Sequence, residues 1–324
     1  MKRLIYIALF LGGILSEGLS QQVPLYSQYM LNGFLLNPAV AGSEGYTAVN
    51  LTAREQWIGL QNGPGTYALS FQTRVLRKSY ISRETSILKD QQENTRSGNI
   101  GVGGYFFKDR NGAVERTGFK GTYAYHIIFP ESQLSFGLSF VAYQYRLNED
   151  LINFADPGDV LWLGADKSVF IPDADAGVYY TASKYWAGLS VDQLFESTLK
   201  IGDSGYARYV MERNYYIMGG YDFEVKPEIT ISPSTLIKIA ENGKLQADIS
   251  GKIFIQQTYW GGLTYRTGHA LIVMAGISID KFMFGYAFDI GLNSIMKHSY
   301  GSHEFTFIVK FGDNARRYRW LNRF

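Results

Sequence analysis

Cysteine is absent from the 324 residues. That excludes disulfides, thiolate metal sites, cysteine nucleophiles and lipid attachment at an amino-terminal Cys. Histidine is scarce, at four in all. His298 and His303 flank "SYGS", a spacing that suits neither a helical zinc motif nor a short metal loop, so no metal and no cofactor are expected. Neither sign of charge dominates: a net charge of +2 with 19% charged residues gives no electrostatic case for nucleic acid. Long apolar runs are missing as well. The run from Leu4 to Leu15 is shorter than the ~20 residues a spanning helix needs, and nothing later in the chain is long and apolar enough to be one.

Aromatic residues, at 15% with Tyr 24 and Phe 21, and Gly 35 are plentiful. In "KFMFGYAFDIG", Phe282, Phe284, Tyr286 and Phe288 share one face of an extended strand, and Met283, Gly285, Ala287 and Asp289 share the other. The bulky face is opposed by small and polar residues. A transmembrane barrel aims such a face at lipid and keeps its lumen polar, whereas a secreted soluble β-protein would aim it at a packed core. Residues 1–20 read as an export signal: Lys2 and Arg3 precede the apolar stretch, and Gly18-Leu19-Ser20 offers small residues for cleavage before Gln21. A mean hydropathy of -0.10 suits a barrel, because only alternate residues meet lipid.

The expectation is an all-β protein, a transmembrane antiparallel β-barrel of about fourteen strands in the bacterial outer membrane. The alternation places strands at Tyr46–Trp57, Thr66–Leu76, Asn99–Phe107, Ala113–Phe129, Gln133–Arg146, Asp173–Ala182 and Lys184–Leu194. Seven more follow at Val210–Val225, Glu228–Ile239, Lys244–Gln256, Thr258–Arg266, His269–Ile279, Lys281–Gly291 and His303–Phe311. Four parts result: a signal peptide at 1–20, an amino-terminal periplasmic or plug segment at 21–44, the barrel at 45–312 and a basic tail at 313–324. Arg77–Ser97 and Leu147–Pro172 read as long loops, the second an exposed loop or a plug. Arg316, Arg317, Arg319 and Arg323 in the tail could meet anionic headgroups, an acidic partner or solvent alone.

Gln246, Asp248, Ser250 and Lys252 form a polar stripe carrying both charge signs, which fits an interior and not lipid. Asp192, Arg266, Asp289 and Glu304 fall on similar faces. They are candidates for a polar network across the lumen, or for the lining of a solute path. No catalytic site is expected. "GDSG" at Gly202–Gly205 looks like the nucleophile segment of trypsin-type proteases but lacks the matching His and Asp segments. The glycines of "GVGGYFF" sit inside a strand pattern with no helix after it, so they mark bends or close packing and not a phosphate loop.

The stretch "PLYSQYMLNGFLLNPAVAGSEGY" followed by "REQWIGLQNGPGTYALSFQT" resembles the start of the PorP/SprF family of the type IX secretion and gliding system of Bacteroidetes-type bacteria. Ser27, Gln28, Tyr29, Asn37, Pro38, Ala39, Gly42, Arg54, Gln56, Trp57, Gly59, Pro64 and Tyr67 carry the match. It continues through "GVGGYFFKDRNG", "DADAGVYY", "YWAGLS", "GYAFDI" and "GSHEF", essentially the whole mature chain. Leu31 to Phe34 depart from it, since many relatives have a proline there. The resemblance implies a non-enzymatic outer-membrane component supporting export or surface anchoring of a large adhesin-type cargo, or docking the periplasmic ring proteins. Its expected partners are outer-membrane lipids, the ring proteins and a large secreted surface adhesin. A porin or lipid-type transport barrel with a polar lumen is the alternative. Ser27, Gln28, Tyr29, Asn37, Pro38, Arg54, Gln56 and Trp57 are the candidate partner-binding or plug residues. The residues themselves leave open whether Tyr26, Tyr29, Phe34 and Leu36 simply pack inside the barrel mouth.

Overall fold

A computed structural model describes residues 26–75, 99–148, 151, 168–201, 207–268, 270–292 and 297–311. Period-two alternation produces seventeen strands. They are β1 (Thr47–Glu55), β2 (Gly65–Val75), β3 (Ile100–Asn111), β4 (Val114–Ile128), β5 (Ser132–Leu147), β6 (Ser168–Ala182), β7 (Tyr185–Asp192), β8 (Thr198–Ile201) and β9 (Ala207–Val210). The others are β10 (Asn214–Tyr221), β11 (Phe223–Lys226), β12 (Ile229–Ala240), β13 (Leu245–Ile255), β14 (Tyr259–Arg266), β15 (Ala270–Ile279), β16 (Phe282–Gly291) and β17 (Ser302–Phe311).

Each wall strand pairs antiparallel with its sequence neighbour, β1 pairs with β17, and β10 bridges β7 and β12, so the sheet closes. β10 and β11 are two parts of one stave along β12, which makes a fourteen-strand antiparallel barrel. Closure leaves no backbone edge to satisfy inside a bilayer, where water cannot do so. Pro233 of β12 lies beside Asp222, where that stave is interrupted, so its missing N–H falls where the ladder already breaks. The Thr47 end has short turns at 129–131, 183–184, 227–228, 256–258 and 280–281 together with the long connection 76–99, and the Glu55 end carries the longer connections 148–167, 193–213 and 292–301.

Facing follows the alternation. Along β13, Gln246, Asp248, Ser250 and Lys252 are buried inside, while Ile249, at 61% exposure, Ile253 and Ile255 look outward. Phe282, Phe284 and Tyr286 of β16 and Phe305 and Phe311 of β17 also face out, while Met283, Ala287 and Asp289 face in. A wall of exposed Leu, Ile and Phe around a polar interior inverts the soluble arrangement and suits hydrocarbon outside. Ile249→Arg is therefore expected to cost about 2–4 kcal/mol of folding into phospholipid vesicles, because Ile249 sits midway along β13. Urea titration checks this, with Ile249→Val as the near-neutral comparison.

Three boundaries differ by four residues or more from the sequence expectation. β3 runs on to Asn111, so "KDRNG" is mostly strand, and the turn is carried by Gly112 at φ 59. Asp109 is drawn into the ladder because it points inward to Arg116, at 2.5 Å, and accepts a bond from Thr66 Oγ1 at 2.7 Å. β6 starts at Ser168 and not Asp173. Pro172, where the expected loop ended, is tolerated because pairing with β7 begins only at Ala176, so Pro172 sits where β6 has a single neighbour. The third is the strand expected at Val210–Val225, which starts at Asn214 and is interrupted at Asp222, with the β8–β9 hairpin spanning Thr198–Val210 ahead of it. Residues 1–25, 76–98, 152–167, 202–206 and 312–324 lie outside the described residues, and with them the expected export signal, most of the two long loops, Ser204 and the expected basic tail.

Candidate functional site: a segment held inside the barrel

Residues 26–46 enter the lumen at the Thr47 end and run up its inside. Two short 3-10 turns, Gly33–Leu35 and Pro38–Val40, fold the segment compactly. Asn37 starts the second by accepting the Ala39 N–H at 2.9 Å, and Pro38 follows at a position where no N–H is needed. Tyr26, Tyr29, Phe34, Leu35, Ala39, Val40 and Ala41 are all buried.

Three sets of polar contacts attach it. Near the Thr47 end, Arg74 donates to the carbonyls of Gly42 and Ser43, both at 2.9 Å, and His126 Nε2 lies 3.1 Å from the Ala41 carbonyl. Midway, Asn37 Nδ2 donates to the carbonyls of Val178, at 3.0 Å, and Leu189, at 3.2 Å. Asn32 donates to Ser70 Oγ at 3.0 Å, and the Tyr29 hydroxyl donates to Ser234 Oγ at 3.4 Å. Burial pushes the Tyr29 and Tyr26 phenols above their ordinary pKa, so both remain neutral donors.

The third set lies toward the Glu55 end and is ionic. Glu304 takes the Ser27 N–H on Oε2 at 2.7 Å and the Gln28 N–H on Oε1 at 2.8 Å, so one carboxylate clamps two successive peptides. Ser27 Oγ donates to Asp289 at 2.8 Å and accepts from Arg54 Nη1 at 2.5 Å. Arg54 pairs with Asp289 at 2.7 Å and Glu304 at 3.2 Å. Arg266 pairs with Asp248 at 2.7 Å, lies 3.7 Å from Asp289, and donates to the Tyr26 carbonyl at 3.2 Å. Gln246 donates to Asp248 at 3.1 Å. Two guanidiniums thus face three carboxylates in a region where Arg54 is 2% and Glu304 1% exposed. The segment's own peptide N–H groups supply the remaining positive end, so the cluster is complete only with the segment in place.

The structure therefore brings Ser27, Gln28 and Arg54 together with Gln246, Asp248, Arg266, Asp289 and Glu304. Tyr29 reaches a neighbouring wall, and Asn37 and Pro38 lie against β5, β6 and β7. Gln56 and Trp57 stand apart at the Glu55 rim, half-buried, with Gln56 N–H on the Pro64 carbonyl at 2.8 Å and Trp57 N–H on Ser302 Oγ at 3.2 Å. Asp192 accepts the Tyr216 hydroxyl at 3.0 Å on another wall, and Lys252 lies toward the Thr47 end. Arg74, His126 and Gln133 were missed by the sequence reading, although alternation places Arg74 on the inward face with Ser70 and Gln72.

Inward-facing glycines belong to the site as well, Gly101 among those read as close packing and Gly137 and Gly177 not singled out. A Cβ on Gly101 would collide with the Ala41 carbonyl, one on Gly137 with the Pro38–Ala39 backbone, and one on Gly177 with the Asn37 side chain. These glycines let the segment lie directly on the wall.

Among the described residues, no group of His, Asp and Glu is arranged to hold a metal ion. A solved structure shares the fold. The toluene transporter TbuX of Ralstonia pickettii aligns with a TM-score of 0.51 at 10% identity, over 86% of this chain and 93% of its own. A deletion mutant of the monoaromatic hydrocarbon channel TodX aligns with a TM-score of 0.44 at 8% identity, over 87% and 94%. Among curated proteins, none matches the sequence. A family profile described as type IX secretion system membrane protein PorP/SprF matches residues 18–309. With a barrel wall around a polar interior and a match over nearly its whole length, the chain belongs to the PorP/SprF family of type IX secretion system membrane proteins.

Proposed function

We propose that this barrel is a non-enzymatic component of the type IX secretion and gliding system that supports export or surface anchoring of a large adhesin-type cargo, or docks the periplasmic ring proteins. Residues 26–46 act as a plug. The observation that carries this reading is the Ser27–Gln28 peptide clamped between Glu304, Asp289 and Arg54, because a lumen filled by the chain itself suits a scaffold better than an open pore. The Thr47 end faces the periplasm, because the first strand begins and the last strand ends there and five of its six connections are short, the exception being 76–99; most of the longer connections then face the cell exterior. Residues 1–20 are a cleaved export signal. The rim residues Gln56 and Trp57 then lie on the exterior side, where cargo would be met.

Deleting the gene is expected to abolish surface display of particular large proteins while leaving outer-membrane permeability to small antibiotics unchanged. Flow cytometry against the displayed proteins checks this. Normal display in the deletion strain counts against the role.

A further inference from the structure

Between the luminal segment and the wall at the Thr47 end lies a cavity of about 90 Å³. Its lining includes Met30, Trp186, Phe254, Met283, Lys252 and Lys310. The apolar part is rich in methionine, which adapts to ligands of varied shape. Asp222 and Glu44 also line it, and Asp222 already accepts the Ser232 hydroxyl at 2.7 Å. Lys252 differs from these groups. It is only 5% exposed, its ammonium stands 5.1 Å from the centre of the Phe254 ring, and among the described residues no hydrogen bond or ion pair reaches it, the Asp222 carboxylate acting on it only through space. A buried ammonium without an acceptor is costly, so it is a group that a ligand can complete.

We infer that this cavity binds a small monocarboxylate with an apolar tail, its carboxylate on Lys252 and its chain against Met30, Trp186, Phe254 and Met283. A cation is disfavoured, since Asp222 and Glu44 already act on the two ammoniums of the lining, Lys252 and Lys310. A neutral apolar molecule would leave the ammonium unsatisfied.

6-Bromohexanoate is a suitable probe, because bromine quenches tryptophan fluorescence on contact and Trp186 lines the cavity. The purified full-length barrel in neutral detergent is expected to show saturable quenching, largely lost in Trp186→Phe. Lys252→Met should weaken the apparent affinity at least about tenfold, whereas Lys252→Arg should retain it. Methyl 6-bromohexanoate, without the charge, should quench only weakly and without saturation. Heat-modifiable gel mobility verifies that each variant is folded, and Lys252→Arg supplies the comparison if Lys252→Met does not fold. Equal quenching by acid and methyl ester, or a Lys252→Met or folded Lys252→Arg barrel that contradicts these affinities, overturns the assignment.

Discussion

Arg54→Met is expected to loosen residues 26–43 from the lumen while the barrel wall stays folded. The substitution keeps most of the side-chain volume but leaves Arg266 alone against Asp248, Asp289 and Glu304. Removing one partner of a buried ion pair typically costs about 3–5 kcal/mol, because the charges left behind remain out of water. The wall strands are held by long continuous ladders, whereas Ser27 and Gln28 depend on the cluster, so the loss falls on the segment. Hydrogen exchange reads this directly: the Ser27 and Gln28 amides should lose protection and β16 and β17 should keep theirs. Adding Glu304→Gln to Arg54→Met removes one of the stranded carboxylates, so the double variant should lose less than the two single effects summed. Additive losses would show that Arg54 and Glu304 do not act as one unit.

Gly137→Val should displace the same segment by steric means. The new Cβ would occupy the position of the Pro38–Ala39 backbone, and neither that backbone nor β5 can yield as a flexible side chain would. Overpacking in cores costs about 1–3 kcal/mol, and here expulsion of the 3-10 turn at Pro38–Val40 is the cheaper way to relieve it. Gly121→Val is the comparison, because a Cβ there meets nothing within 4 Å. Gly137→Val should therefore raise amide exchange over residues 37–41, while Gly121→Val leaves it unchanged. Equal effects of the two substitutions would mean that the close approach at Gly137 is not what seats the segment.

The barrel was legible because lipid outside and polar groups inside impose one rule on every wall strand. The stripe Gln246, Asp248, Ser250 and Lys252 displays that rule without any partner in view. The luminal fill was only half legible. Residues 21–44 could be singled out as polar, aromatic and ahead of the first strand, but their path depends on contacts far apart in sequence. Ser27 meets Glu304 at a separation of 277 residues, and periodicity says nothing of such pairs. Asp192 and Lys252 share the inward facing of Asp248 yet lie in other parts of the lumen, because facing fixes the side of the wall and not the height or the stave. The glycines of "GVGGYFF" were read as bends or close packing, and at Gly101 close packing holds, but what packs there, and at Gly137 and Gly177, is the segment itself. Gln56 and Trp57 adjoin Arg54 in sequence and fall on the rim because β1 ends at Glu55.

Conductance in planar bilayers tests most directly whether the chain's own segment closes the lumen. The full-length protein should produce no sustained current steps, and a variant lacking residues 26–43 should produce them in the same lipid and salt. Stable ohmic steps from the intact protein, unchanged by that deletion, would contradict a plugged barrel and favour the porin reading.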